Sequence, residues 1–323
     1  MIIRVNHLGR KFGSFVAVND VSFEIPEGQI FGFLGPNGSG KTTTIRMLLG
    51  LVKPTSGTAY ILNQDIHKAS RHIMEQIGYM SQKFSLYTDL TVAENLTFFG
   101  RSYGLFGNTL RQRMDAILEM TGLKGQEAIP TRDLSGGWAQ RLALGAAIIH
   151  QPKLLFLDEP TAGVDPVSRR EFWDLLYELA QSGTTVFVTT HYMDEAEHCQ
   201  RVAFIYYGKL IADAPPHELV QTTVPGQIIS FEPSDPLRAL QVIKEAIQLG
   251  TLPASSSNLF GAAIHVLSTD GSLARDRLQA MLAQQGISVN AFRIEKPSLE
   301  DAFINLVQGQ KLESNKIRPT QSN

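Results

Sequence analysis

The sequence predicts an α/β protein: a parallel sheet flanked by helices, preceded by an antiparallel β subdomain, interrupted by a helical subdomain and followed by a small α+β domain. Three observations carry this. From Ile30 onward, short and continuously apolar runs are separated by helical spacing, as buried parallel strands are. The first 30 residues instead alternate apolar and polar positions (Ile3, Val5; Val16, Val18; Val21, Phe23, Ile25) between turn residues, the pattern of antiparallel strands. After Pro225, strand and helix patterns alternate again over a stretch too short for more than a small module. With 323 residues, 43% of them hydrophobic and 19% charged, the chain can bury a core in two domains of about 150 residues each.

Four apolar runs form the expected sheet: Ile30 to Leu34, Gly78 to Met80, Leu154 to Leu157 and Val186 to Val188. Each is followed within three residues by a chemical side chain or a glycine: Gly35, Gln82, Asp158 with Glu159, and His191. Ligands of open parallel sheets gather at the carboxyl ends of the strands, so these positions are expected to meet at one edge. Residues 83–150 carry helical spacing at Leu90 to Phe99, Leu110 to Met120 and Trp138 to Ile149, the inserted subdomain. Strands are expected at Ile228 to Phe231, Ile264 to Leu267 and Ile287 to Ile294, with helices at Pro236 to Leu249, Leu273 to Gln284 and Ser298 to Val307. Pro253 to Asn258, with three serines, reads as a loop. The expected boundaries are 1–222, 226–308 and a polar, disordered tail 309–323.

Charge and cysteine content exclude several classes. Twenty-nine basic against 31 acidic residues give a formal net charge of −2, against a protein that coats nucleic acid. One cysteine, Cys199, allows no internal disulfide and fits a reducing compartment. Met1 to Arg10 lacks a signal-peptide pattern, and no apolar stretch approaches the roughly 18 to 20 residues of a membrane span. An intracellular chain that does not cross a bilayer by itself is expected.

Gly35-Pro36-Asn37-Gly38-Ser39-Gly40-Lys41-Thr42, followed by Thr43, matches G-x-x-x-x-G-K-[ST] between an apolar run and a helical pattern, which predicts a P-loop NTPase core. Close approach of phosphates demands Gly38 and Gly40. Backbone N–H groups and the positive helix end would hold the β- and γ-phosphates, Lys41 would add charge, and Thr42 would offer a hydroxyl to Mg²⁺. In Lys153 to Pro160 (KLLFLDEP), the alternating faces of a strand would point neighbouring Asp158 and Glu159 in different directions. Asp158 would then hold the Mg²⁺ shell and Glu159 would act as general base on the attacking water. Gln82 is placed to bind Mg²⁺ or that water, and His191 to hydrogen-bond the γ-phosphate.

Leu134-Ser135-Gly136-Gly137-Trp138 opens a helix with apolar residues at 138, 142, 146 and 149, a second anion-binding helix start. One nucleotide needs only one further cap, so the economical arrangement is a head-to-tail dimer in which Ser135 of one copy closes on the nucleotide of the other.

Together the phosphate loop, Gln82, LSGGW, LFLDEP, Thr161-Ala-Gly-Val-Asp165 and His191 stand in the order and spacing of ATP-binding cassette (ABC) ATPases, which residues 1–222 resemble. The resemblance implies ATP and Mg²⁺ as ligands, Phe12 as the aromatic stacked on adenine, and Asp165 as the link between two active sites. Trp138 departs from it, standing where the family usually has Gln or another polar or flexible residue; altered packing near the ribose, rather than lost hydrolysis, is expected. A single cassette without a coiled-coil insertion favours a transporter subunit over relatives acting on ribosomes or DNA. Thr190-His-Tyr-Met-Asp-Glu-Ala-Glu197 and Pro297-Ser-Leu-Glu-Asp-Ala-Phe303 are similar to drug and antibiotic exporter ATPases; an importer ATPase with a regulatory C-terminal domain is the alternative. The implied partners are a second copy or a paralogue and polytopic membrane permease subunits, with no nucleic acid, at the cytoplasmic face of the membrane. Phe84, Leu86 and Tyr87, beside Gln82, are expected to line a groove for a permease helix.

Overall fold

The computed structural model describes residues 1–68, 71–82 and 86–316, and the chain divides into two compact units, Met1–Pro216 and a second beginning at His217. The division falls at Pro216 rather than after 222. The reason is local: Val220 and Val224, in and just after the helix Pro216–Thr223, pack on Ile228, Leu267 and Ala302 of the second unit.

In the first unit, Ile3–Phe12 and Phe15–Ile25 form an antiparallel hairpin, extended by Ser56–Ile61 and the short Gln64–Asp65. Ile3 lies opposite both Ile25 and Ile61, so the first strand is the central one of its three long strands. Its buried face, with Val5, Leu8, Val21 and Phe23, shares a core with Phe31, Phe33 and Phe187. The Phe23 and Phe31 rings stack 5.6 Å apart, and Phe31 and Phe187 stand 5.5 Å apart.

The second sheet runs in the order Lys209–Ala214, Arg201–Tyr206, Ile30–Leu34, Thr185–Thr190, Leu154–Asp158, Ile77–Met80. All neighbouring pairs are parallel except the hairpin at one edge. Ile30–Leu34, Leu154–Asp158 and Thr185–Thr190 are buried at every position, which is why these strands read as unbroken apolar or β-branched runs. The carboxyl ends of the four expected strands lie along one edge, as the spacing predicted.

Three helices make the insert: Val92–Ser102, Gly107–Thr121 and Gly136–Ile148. The first opens with a reciprocal capping box between Thr91 and Glu94. Buried Asn95 ties its approach segment down, accepting from the Tyr87 amide and donating to the Tyr87 carbonyl and to Thr131 Oγ1, each at 2.9 Å.

The second unit follows Gln227–Pro233, Pro236–Gln248, Ser256–Phe260, Ala263–Ser268, Gly271–Gln284 and Val289–Glu295, a βαββαβ chain. Its antiparallel sheet has the order third-element strand, fourth, first, last: Ser256–Phe260, Ala263–Ser268, Gln227–Pro233, Val289–Glu295, a ferredoxin-like arrangement. Ile229, Phe231 and Val266 face the two helices, whereas Ile228 and Leu267 face Ala302 of the last helix, Leu299–Lys316. Two sequence expectations are corrected here. The serine-rich stretch is not a loop throughout: Ser256–Phe260 is an edge strand paired from Ser256 opposite Leu267 to Phe260 opposite Ala263, its polar composition tolerated because only one edge is covered. The last helix runs through 309–316 instead of ending before them; 317–323 lie outside the described residues. No helix of the described residues is long and apolar enough to cross a membrane.

Candidate functional site

The strand Ile30–Leu34 delivers Gly35 to the sheet edge, and the loop then turns into the helix Lys41–Leu48. The helix start has Gly40 at its N-cap and no acidic side chain in its first turn, so its leading N–H groups face the loop uncompensated by carboxylate. Gly40 has φ 112°, and a Cβ there would stand 2.6 Å from the Ala17 carbonyl oxygen; Gly38 has φ 79° with open space above it. Both positions therefore demand glycine, one for packing and one for backbone conformation. Pro36, Asn37 and Gly38 are exposed, while Ser39, Gly40 and Lys41 are buried. The Ser39 hydroxyl is buried without a hydrogen-bond partner among the described residues. A cavity of about 310 Å³ opens over the loop, walled also by Phe15, Ala17, Gln82 and Glu159. A larger cavity of about 700 Å³ lies at the other end of the sheet, beside Lys153 and Thr184, and is lined by none of the expected nucleotide, metal or catalytic residues.

Charge at the loop is organised around Glu159. Lys41 Nζ lies 2.9 Å from Glu159 Oε1 and donates to the Gly35 carbonyl at 2.7 Å. Glu159 Oε2 accepts from Gln82 Nε2 at 3.2 Å and lies 3.2 Å from His191 Nδ1. Thr42 Oγ1 donates to Asp158 Oδ1 at 3.1 Å. The structure thus brings Lys41, Thr42, Gln82, Asp158, Glu159 and His191 together from three strand ends and one helix start. The two carboxylates part for a different reason than strand pleating. The strand ends at Asp158, and Glu159 turns into the left-handed region at φ 49°, a conformation that costs a non-glycine residue about 1 to 2 kcal/mol.

One participant was invisible to sequence reasoning. Thr189, fully buried and opposite Asp158 in the neighbouring strand, donates its hydroxyl to Asp158 Oδ1 at 2.8 Å and accepts from the Glu159 amide at 3.0 Å. A threonine inside TVFVTT signals only strand propensity, so nothing in the sequence marks it.

The remaining expected residues are not gathered at the cavity. Ser135, Gly136 and Gly137 stand at the start of the helix Gly136–Ile148; Ser135 is the exposed N-cap, and its hydroxyl makes no capping hydrogen bond. Asp165 is exposed and caps the helix Pro166–Gln181 by accepting from the Val167 and Ser168 amides. Its hydrogen bonds from Ser168 hold its carboxyl below the usual value. Phe12 is 46% exposed at the hairpin turn with the Arg10 guanidinium 4.4 Å from its ring centroid, while Phe15, its cross-strand partner, lines the cavity. Trp138 carries the Arg141 guanidinium 4.9 Å from its ring centroid. Phe84 lies outside the described residues; Tyr87 is 47% exposed and meets Phe98 edge-on at 4.6 Å.

The ABC transporter family profile matches residues 18–162. The chain is 40% identical over 243 residues to Nod factor export ATP-binding protein I of Ralstonia nicotianae, covering 75% of each chain. It belongs to the ABC transporter family. Over 218 residues this ABC protein is 48% identical to the probable multidrug ABC transporter ATP-binding protein YbhF of Escherichia coli, across 68% of its own length and 38% of that relative's. A solved dimeric ATP-binding cassette, in a post-hydrolysis state bound to ADP and phosphate, superposes with a TM-score of 0.60 at 28% identity, covering 66% of this chain and 98% of that one. The fold is that of a P-loop NTPase cassette, and membership in the family implies nucleotide binding.

Among the described residues no group of three or more His, Cys, Asp or Glu could hold a metal ion by itself. Mg²⁺ in nucleotide sites is held by one or two protein oxygens together with phosphates and water, and the Thr42 hydroxyl and Asp158 carboxylate, in mutual contact beside the loop, fit that requirement.

Proposed function

We propose that this chain is the ATP-hydrolysing subunit of an exporter, working at the cytoplasmic face of the membrane on separate polytopic permease subunits. The observation that carries the reading is the convergence on Glu159: an ammonium, an amide and an imidazole within 3.2 Å of one buried carboxylate, beside a phosphate loop. The exporter assignment draws support from the names of the multidrug and Nod factor export relatives.

In this mechanism the β- and γ-phosphates of ATP lie on the N–H groups of 37–43 and draw the Lys41 ammonium to themselves. Thr42 and Asp158, with Gln82 beside them, would hold Mg²⁺, which when bound offsets phosphate charge. Glu159, freed from Lys41, accepts the proton of the attacking water, and His191 donates a hydrogen bond to the γ-phosphate. Phe12 stacks on adenine. A second copy, or a paralogue, supplies its Ser135, Gly136 and Gly137 as the far wall of each nucleotide site, with Asp165 beside the junction. Two nucleotides are then held between two subunits, and hydrolysis reopens them.

Affinity purification from membranes in mild detergent tests the assignment. Co-purification of polytopic membrane proteins, with ATPase activity in the eluate, is expected; recovery of ribosomes or DNA instead would contradict it.

A further inference from the structure

The carboxylates assigned to metal and to water are adjacent in sequence but leave the backbone at a left-handed turn, so something must hold their relative aim. Pleating does not do it, because Glu159 lies beyond the strand. Thr189 occupies the position opposite Asp158, is 0% exposed, and spends its one hydroxyl on both neighbours: it donates to Asp158 Oδ1 at 2.8 Å and accepts from the Glu159 N–H at 3.0 Å. The Glu159 amide also reaches the Thr189 carbonyl at 3.1 Å, so the threonine clamps it from side chain and backbone together. Asp158 Oδ1 receives a second hydroxyl from Thr42 of the phosphate loop. The chain of contacts therefore runs from the helix start through Asp158 and Thr189 to the backbone of the residue that turns toward Lys41.

We propose that Thr189 is a positioning residue, whose hydroxyl fixes the Asp158 carboxylate and the Glu159 backbone as one unit so that metal ligand and general base are aimed together. This rests on the reading of Asp158 and Glu159 given above. Thr189 touches no reacting atom; it acts through its two neighbours. Its side chain lies two residues before His191 on the same strand end, so the strand that presents the γ-phosphate contact also sets the two carboxylates. Loss of outer-shell hydrogen bonds of this kind costs about 10- to 100-fold in metal affinity or activity.

The test compares T189V, which keeps the volume and removes the hydroxyl, with T189S, which keeps the hydroxyl. T189V is expected to lower kcat for ATP hydrolysis about 10- to 100-fold with KM for ATP within about twofold, while T189S stays within about threefold of wild type. Mn²⁺ bound together with a non-hydrolysable ATP analogue, counted by its paramagnetic resonance, is expected to dissociate about tenfold more readily from T189V. Wild-type kcat and Mn²⁺ affinity in T189V would overturn the proposal, and so would equal losses in T189V and T189S, which would assign the effect to the packing of the whole side chain rather than to its hydroxyl. If T189V does not fold, T189C, of similar size and a poor donor, replaces it in the same comparison. Absence of ATP turnover in the wild-type protein would instead remove the functional reading, and the Mn²⁺ measurement would still decide whether Thr189 sets Asp158.

Discussion

Replacing Lys41 with methionine removes one partner of a buried ion pair. The Lys41 and Glu159 side chains are 4% and 8% exposed and their charged atoms lie 2.9 Å apart. Removing one partner of such a pair costs about 3 to 5 kcal/mol, because the other is left buried and charged. Glu159 keeps Gln82 and His191 at 3.2 Å, so the loss belongs at the lower end, about 3 kcal/mol. E159Q costs less, about 1 to 2 kcal/mol, since the Lys41 ammonium still donates to the Gly35 and Pro36 carbonyls at 2.7 and 3.3 Å. The double variant K41M/E159Q no longer buries an unpaired charge and is expected to be more stable than the sum of the two losses by about 2 kcal/mol. Urea unfolding without added nucleotide measures this, followed by tryptophan fluorescence. Both tryptophans, Trp138 and Trp173, lie in the first unit, so the signal reports that unit and not the second. Losses that add to within about 0.5 kcal/mol would refute the reasoning, since independent sites behave so.

Three further outcomes are expected. F12A should weaken ATP binding about tenfold, within the range of base–aromatic stacking, with F12W near wild type and F15A less affected; equal affinity in F12A, by titration with a fluorescent ATP analogue, would remove the stacking role. Burial pushes the His150 ring down to about 4, assisted by Arg113, while its Nε2 donates to the Ile77 carbonyl at 3.1 Å and Tyr103 stacks on it at 3.5 Å. The unfolded chain protonates first as pH falls, so the contribution of His150 is complete above about pH 6.5 and is lost toward pH 4, about 2 kcal/mol after allowing for its partial exposure; H150Q should flatten the stability profile in that window, and an unchanged slope would contradict this. Y87S should uncouple transport in the reconstituted complex while leaving basal ATP hydrolysis intact, because Tyr87 stands exposed beside Phe98 and outside the cavity over the glycine loop; transport at the wild-type rate would argue against a coupling role.

What the sequence disclosed depended on how locally each feature is determined. Ile30–Leu34 and Leu154–Asp158 are buried on both faces, so their composition alone announced them. Ser56–Ile61 was not legible, because its place as the third strand of the N-terminal sheet depends on pairing with residues some fifty positions earlier, and the start of the strand Ser256–Phe260 reads as part of the loop Pro253 to Asn258 because an edge strand tolerates serines. Within the site, Lys41 and Thr42 follow from a spacing rule with a physical basis, and the strand-end positions of Gln82, Glu159 and His191 place them at one sheet edge; that Lys41, Gln82 and His191 all close on the Glu159 carboxylate is visible only in the structure. Thr189 escaped because its importance lies in a cross-strand hydroxyl contact rather than in its residue type. The cause of the separation between Asp158 and Glu159 also escaped: a positive φ at a glutamate has no sequence signature.

The central claim is that ATP joins two copies of the cassette, each completing the other's site, with Glu159 as the base that ends the union. Light scattering of E159Q with and without Mg²⁺ and ATP addresses it directly. A molar mass that doubles on ATP addition and stays doubled, while wild type returns to monomer as ATP is consumed, is the predicted result; a variant that stays monomeric at saturating ATP would contradict it.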